Sequence, residues 1–357
     1  MLWLWIGFIA FVLLVLALDL GVLHRRAHVV GVREALAWSA VWFTLGTAFA
    51  VFVYFAYEGQ WFGLGTVIDP VDGMCNDGAA AAEKYITGYV VEKSLSVDNI
   101  FVIAMIFGFF AVPAIYQHRV LFWGILGALA LRGAMIALGA TLIAEFHWVL
   151  YVFAAFLILT ALKMLFLKSG HADPNKNPAV RLVRRLFPVT ARFHGEHFVV
   201  RAGTSASHES EVPGAPVLPD DVVDRVPVGT LLLTPLALAL VLVETTDVIF
   251  AVDSIPAIFA ITGDPFLVYT SNVFAILGLR SLYFALAGML DKFRYLKTAL
   301  AFVLLVVGVK MLFAESLKLS LGKHFNLYLL SAVLAILAAG VVGSLIAERR
   351  TTRRDGD

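Results

Sequence analysis

Five carboxylates lie in stretches too apolar to carry them unpartnered. Glu92 and Asp98 fall in one long hydrophobic run, and Glu244, Asp247 and Asp253 fall in another. A charged acid at a bilayer centre costs about 2.5–3.5 kcal/mol on insertion scales, so five facing lipid would cost roughly 12–17 kcal/mol. They must instead face a bundle interior, a wet cavity or one another. Glu244 and Asp247, three residues apart, share a helix face. On a straight helix Asp253 projects about 120° away from Asp247, unless Pro256 breaks or kinks the helix and re-aims it. Ser94, Asn99, Thr245 and Thr246 add oxygen donors nearby. Neither run contains His or Cys. A hard-oxygen donor set suits manganese, magnesium or calcium better than zinc, copper or nickel. A proton relay would use the same carboxylates.

Lys93, Arg132 and Arg280 are the bases available to pair with these acids. Three bases against five acids leaves two negative charges, which a divalent cation or protonation would cancel. The candidate ion site is therefore Glu92, Asp98, Asn99, Glu244, Asp247 and Asp253, with Lys93, Arg132 and Arg280 as structural ion-pair partners.

The elements that must position these residues follow from composition. The 357 residues are 61% hydrophobic and 15% charged, with mean hydropathy +0.88, which excludes a water-soluble chain. A single cysteine, Cys75, excludes a disulfide framework and a cysteine metal cluster. Stretches 3–23, 37–57, 85–110, 120–143, 147–167, 229–253, 266–290, 298–315 and 326–346 are each near the length that crosses a bilayer core. The fold expected is all-α, a polytopic membrane protein of about nine spans. With residue 1 outside, the internal segments hold 19 Lys and Arg and the external ones 3, so the positive-inside bias puts the N-terminus outside and the C-terminus in the cytoplasm. Residues 168–228 form the one long connection. Its stretch 204–224 reads as a flexible loop, and Arg181, Arg184 and Arg185 read as a solvated positive-inside segment ahead of the alternative that they touch anionic lipid. The acids of the external loop 58–84 read as a solvated polar surface. No G-x-G-D, G-x-S-x-G, H-E-x-x-H or phosphate-binding loop is present, so no enzyme is expected.

Polar landmarks recur. Lys163-Met-Leu-Phe166 returns as Lys310-Met-Leu-Phe313, and Arg132 returns as Arg280. Asp98 can be laid on Asp247, or in a competing register on Asp253 with Glu92 on Asp247. Either way three spans repeat, and an odd number of crossings inverts the second unit, an arrangement found in many secondary transporters. The organisation expected is 1–82, two helices and an acidic external loop; 83–167, repeat 1; 168–228, a cytoplasmic loop; 229–315, repeat 2; and 316–357, a last helix and basic tail.

VEKSLSVDNIFV (91–102) and VETTDVIFAVDSIPAIFAIT (243–262) resemble the TerC family of integral membrane proteins, which is associated with tellurium resistance. DPFLVYTSNVFAILGLRSLYFALAGM (264–289) and FPVTARFHGEHF (187–198) look like its Alx-type branch. The resemblance covers roughly 20–345. It implies nine spans in a bacterial inner membrane, the two-repeat plan of the LysE-type transporter superfamily, and export of manganese(II) from the cytoplasm. The family's intramembrane acids fall here on Glu92, Asp98, Glu244, Asp247 and Asp253. The central loop around 204–228 is longer than the family pattern. Manganese is expected as substrate, with no resident cofactor. Protons and the lipid bilayer are the other expected partners, and nucleic acid is not among them. The alternatives are a membrane scaffold or stress-response component whose acids only join helices, and a transporter of a basic amino acid.

Overall fold

In chain order the helices are α1 (Leu2–Leu18), α2 (Val32–Glu58), α3 (Gly78–Phe109), α4 (Ala114–Glu145), α5 (Val149–Phe166), α6 (Pro178–Leu186), α7 (Pro235–Phe259), α8 (Pro265–Leu277), α9 (Leu279–Leu286), α10 (Leu296–Leu312) and α11 (Phe325–Arg354). These come from a computed structural model that describes residues 2–18, 31–146, 148–166, 177–190, 192–202, 226–286, 295–313 and 325–354. Among the described residues five helical segments are long and apolar enough to cross a membrane: Val32–Glu58, Ala114–Glu145, Val149–Phe166, Pro235–Phe259 and Pro265–Leu286. Leu2–Leu18, Thr298–Leu312 and Tyr328–Ser344 are shorter apolar helices. Helix α3 is 32 residues long but carries Glu83, Lys84, Glu92, Lys93 and Asp98.

Local chemistry sets the helix starts. Asp77 caps α3 by accepting the Ala80 N–H at 2.7 Å. Asn177 caps α6, and Asp264 caps α8 over the N–H groups of Phe266 and Leu267. Proline opens α6, α7 and α8, where its missing N–H is no loss. The stretch 229–253 is not helical from its start. Leu231–Leu233 (β2) pairs antiparallel with Val199–Arg201 (β1), and the helix begins only at Pro235. Pro256 does not break α7, because it lies in the last turn and the helix runs on to Phe259. The expected span 266–290 is interrupted at Gly278. The loop read at 204–224 lies outside the described residues.

Packing around the acids is reciprocal. Helix α3 lies on α8 while α4 lies on α7; α3 and α7 touch, as do α4 and α8; and α5 packs against α10. Two lysines, Lys93 half-buried and Lys310 buried, fasten helix ends. Lys93 Nζ donates to the Ala275 carbonyl of α8 at 3.1 Å, and Lys310 Nζ donates to Ala260, which ends α7, at 2.6 Å. Cations at carbonyl-rich C-termini also complement the helix dipole. A Cβ at Gly278 would stand 2.6 Å from Lys93 Nζ and 3.0 Å from Trp42 Cβ, so the bare backbone there makes room for the lysine.

The loop after α2 exposes Glu58 and Asp77, as a solvated surface would, but buries Asp69. Asp69 is 2% exposed and accepts from Lys84 Nζ at 2.9 Å, Thr262 Oγ1 at 2.5 Å, and the N–H groups of Gly263 at 2.8 Å and Val71 at 3.0 Å. Lys84, itself buried, also meets Asp72 at 2.7 Å and Asn76 Oδ1 at 2.5 Å. This knot ties the loop to the start of α3 and the turn between α7 and α8. Burial alone would raise the Asp69 pKa, but the Lys84 charge and the hydrogen bonds from Thr262, Lys84 and Val71 prevail and hold it below the usual 3.8.

Candidate functional site

Arg132, near the middle of α4, gathers the acidic helices around itself. It is 2% exposed. Its Nη1 donates to Glu92 Oε1 of α3, to Asn272 Oδ1 of α8 at 3.0 Å and to Ser254 Oγ of α7 at 3.4 Å. Its Nε and Nη2 hold the two oxygens of Asp247 at 3.1 and 2.8 Å, a bidentate pair. Four helices thus meet on one guanidinium. Glu92 is 1% exposed, whereas the Asp247 side chain is 14% exposed, so Asp247 is the open side of the cluster.

Helix geometry explains which residues arrive. Ser254 is seven residues beyond Asp247, two turns on the same face, and Asn99 stands in the same relation to Glu92. Asn99 Nδ2 donates to Asp247 Oδ1 at 3.3 Å. Asp253 is rotated away, as its spacing requires, and accepts instead from Thr160 of α5 at 3.3 Å. The Asp98 side chain lies outside the described residues, although its backbone belongs to α3. Glu244 is half-buried one turn before Asp247 and rests on α4, where a Cβ at Gly127 would run into its carboxylate. Arg280 of α9 is buried. Lys93 is spent on the Ala275 carbonyl, not on an acid. Ser94, Thr245 and Thr246 donate to the carbonyls four residues back, which leaves their lone pairs as acceptors.

Beside Asp247 lies a cavity of about 20 Å³, lined on its polar side by Asn99, Thr246 and Asp247 and otherwise by side chains such as Ile103, Leu121 and Phe250. That is room for about one water. The hydrogen-bond network is incomplete across a wider set of polar residues, and of those left unsatisfied Asn99 alone lines the cavity. Glu92 Oε2, Asn99 Oδ1 and Glu244 Oε2 are buried oxygens with no hydrogen-bond partner among the described residues, and so is the amide nitrogen of Asn272. Unsatisfied buried oxygens in this number call for a ligand, a proton or water. Among the described residues no three His, Cys, Asp or Glu side chains converge as a metal-holding group; Glu92 and Asp247 converge on Arg132 instead.

Asn272, Ser254 and Gly127 were not singled out in the sequence. Asn272 had a signal, an amide inside the apolar run FLVYTSNVFAIL (266–277), and Ser254 had its two-turn spacing from Asp247. The role of Gly127 needs the α4–α7 contact to be known.

Residues 77–355, from the α3 cap onward, match the family described as "Integral membrane protein TerC family". Over 354 residues the chain is 46% identical to "Uncharacterized membrane protein STKORF319" of Myxococcus xanthus, covering 99% of this chain and 95% of that protein. It is 42% identical over 339 residues to "Putative membrane-bound redox modulator Alx" of Escherichia coli K12, covering 93% of each. An "Uncharacterized membrane protein" of Rickettsia bellii is 34% identical over 350 residues, covering 98% of this chain and 99% of that one. No solved structure matches the chain.

Proposed function

The chain belongs to the TerC family of integral membrane proteins, and we propose that it is a multi-pass inner-membrane transporter that exports manganese(II) through the carboxylates around Arg132, in exchange for protons. The observation that carries this reading is the set of buried oxygens with no hydrogen-bond partner among the described residues, Glu92 Oε2, Asn99 Oδ1 and Glu244 Oε2, together with a cavity that Asn99 and Asp247 line. A divalent ion held by Asp98, Asn99, Glu244 and Asp247 would satisfy the oxygens of Asn99 and Glu244, and Glu92 and Asp253 would serve the path or carry protons.

Arg132 has a specific part in such a cycle. Its guanidinium pairs with Glu92 and Asp247 and thereby holds the place of the travelling cation. An ion reaching Asp247 through the cavity takes over that partner, and Arg132 stays with Glu92. The reciprocal packing of α3, α4 and α5 on α7, α8 and α10 supports two inverted units with the site between them. The 19-to-3 Lys and Arg bias supports an external N-terminus and a cytoplasmic C-terminus. Moving two positive charges outward against 100 mV costs about 4.6 kcal/mol, which inward proton flow offsets.

A second reading takes the Arg132 network as a fastener, since one guanidinium already joins four helices. The protein would then be a membrane component of stress or redox response, as the name of the E. coli relative suggests for that protein. Manganese flux in proteoliposomes under an imposed pH gradient, with Asp247→Asn as control, separates the two. Flux that follows the gradient and vanishes in a folded Asp247→Asn protein supports the exporter. Absence of flux for manganese, magnesium and calcium from folded wild type overturns it.

A further inference from the structure

Helix α6 stands outside the transport reading, and its two faces point to a ligand of their own. It is nine residues, PAVRLVRRL, capped by Asn177 and opened by Pro178. Wound at 100° per residue, Arg181, Arg184 and Arg185 fall on one side, and Leu182, Val183 and Leu186 on the other. All three arginines are exposed. A short basic helix in water needs nothing more, yet Leu182 is 57% exposed, Leu186 63% and the following Phe187 44%. These large apolar groups border the arginines.

The place of α6 in the bundle supplies the second observation. Val180 is 1% exposed and packs in a cluster with Ile106, Phe107 and Val112, where α3 ends, and with Leu236 and Ala239, where α7 begins. In a chain of an integral membrane family, the place where one long helix ends and another begins lies toward one face of the bilayer. Val180 pins α6 there, with its apolar edge and its arginines both uncovered. Helices that lie in a membrane interface combine these features, an apolar face sunk about 5–10 Å below headgroups and a Lys/Arg face toward phosphates.

We propose that α6 is a lipid-docking helix, whose Leu182, Leu186 and Phe187 enter the interface while Arg181, Arg184 and Arg185 bind the headgroups of anionic phospholipid. The charge sets the partner. Three adjacent guanidiniums without a neighbouring acid in 178–187 select anionic over zwitterionic headgroups, because each basic residue near a negative surface strengthens binding about fivefold. The proposal does not depend on what the protein carries across the membrane.

The test uses the full-length protein with Cys75→Ser, so that a nitroxide attaches only through Leu186→Cys or, as a comparison, Arg184→Cys. Both positions are exposed, and neither substitution touches the core. The protein is reconstituted in vesicles of phosphatidylcholine alone or with phosphatidylglycerol. Collision with oxygen and with a water-soluble nickel chelate then reports depth. The proposal expects the label at 186 to collide mainly with oxygen and the label at 184 mainly with nickel, with the contrast growing when phosphatidylglycerol is present. Arg181→Gln, Arg184→Gln and Arg185→Gln together should lower the docked-to-free ratio of the 186 label by on the order of a hundredfold in anionic vesicles. Nickel access at 186 equal to that at 184 in both lipids overturns the proposal. So does a label at 186 shielded from both agents, which would mean that protein covers the face.

Discussion

The two buried charge clusters of this molecule are built from the same residue types and finished differently. At Asp69 a carboxylate takes four short hydrogen bonds, and Lys84 divides its charge between two acids and an amide. At Arg132 one guanidinium is stretched over two carboxylates, while oxygens of Glu92, Asn99 and Glu244 keep no partner among the described residues. The first cluster is closed and gains nothing by changing shape. The second leaves acceptors unpaired, one of them on Asn99 beside a cavity, an arrangement that is expensive unless something occupies it for part of the time.

The closed cluster breaks hardest. Lys84→Met leaves the buried Asp69 and the half-buried Asp72 without their cation and should lower stability by about 3–5 kcal/mol, read as the thermal midpoint of the detergent-solubilised protein. Asp247→Asn should do far less, because Glu92 still pairs with Arg132 and the cluster loses a surplus negative charge. Its midpoint should move by less than half the Lys84→Met shift while flux disappears. If the two variants unfold alike, the contrast between the clusters fails.

Acid sharpens the comparison. The folded Asp69 pKa is held below its ordinary 3.8, so its contribution is complete above the unfolded value and lost as pH falls through the lowered one. The thermal midpoint should therefore drop as pH descends below 3.8, and Asp69→Asn, though less stable at neutrality, should show a shallower acid limb. The smallest stability effect belongs to Gly127→Ala. The added methyl meets only the movable end of Glu244, so the protein should unfold close to wild type. Flux should fall, because that carboxylate must turn away. Unchanged flux would remove Glu244 from the site.

The difference between the clusters also marks what could be read in the sequence. Glu92, Asp247 and Arg132 stand out because charge in an apolar run has a known cost, and the repeat draws attention to Arg132 a second time. Asp69 carries no such mark. It lies in a polar loop, and its Thr262 partner is 193 residues away, so only the folded chain shows that it is buried. Hydropathy located the helical stretches but not the strand at Leu231–Leu233 or the interruption at Gly278, which answer to the β1 partner and to Lys93. Lys163 and Lys310 look equivalent as KMLF motifs, yet Lys163 is exposed and Lys310 is buried on a carbonyl. A motif match in the sequence says little about the different neighbours each segment meets.

Helix α4 has 32 residues and so measures about 48 Å at 1.5 Å per residue, against a hydrocarbon core of about 30 Å. A rod that outreaches its slab must lean or protrude. Arg132 sits near its midpoint and is joined to three neighbouring helices, so any change in lean is passed directly to them.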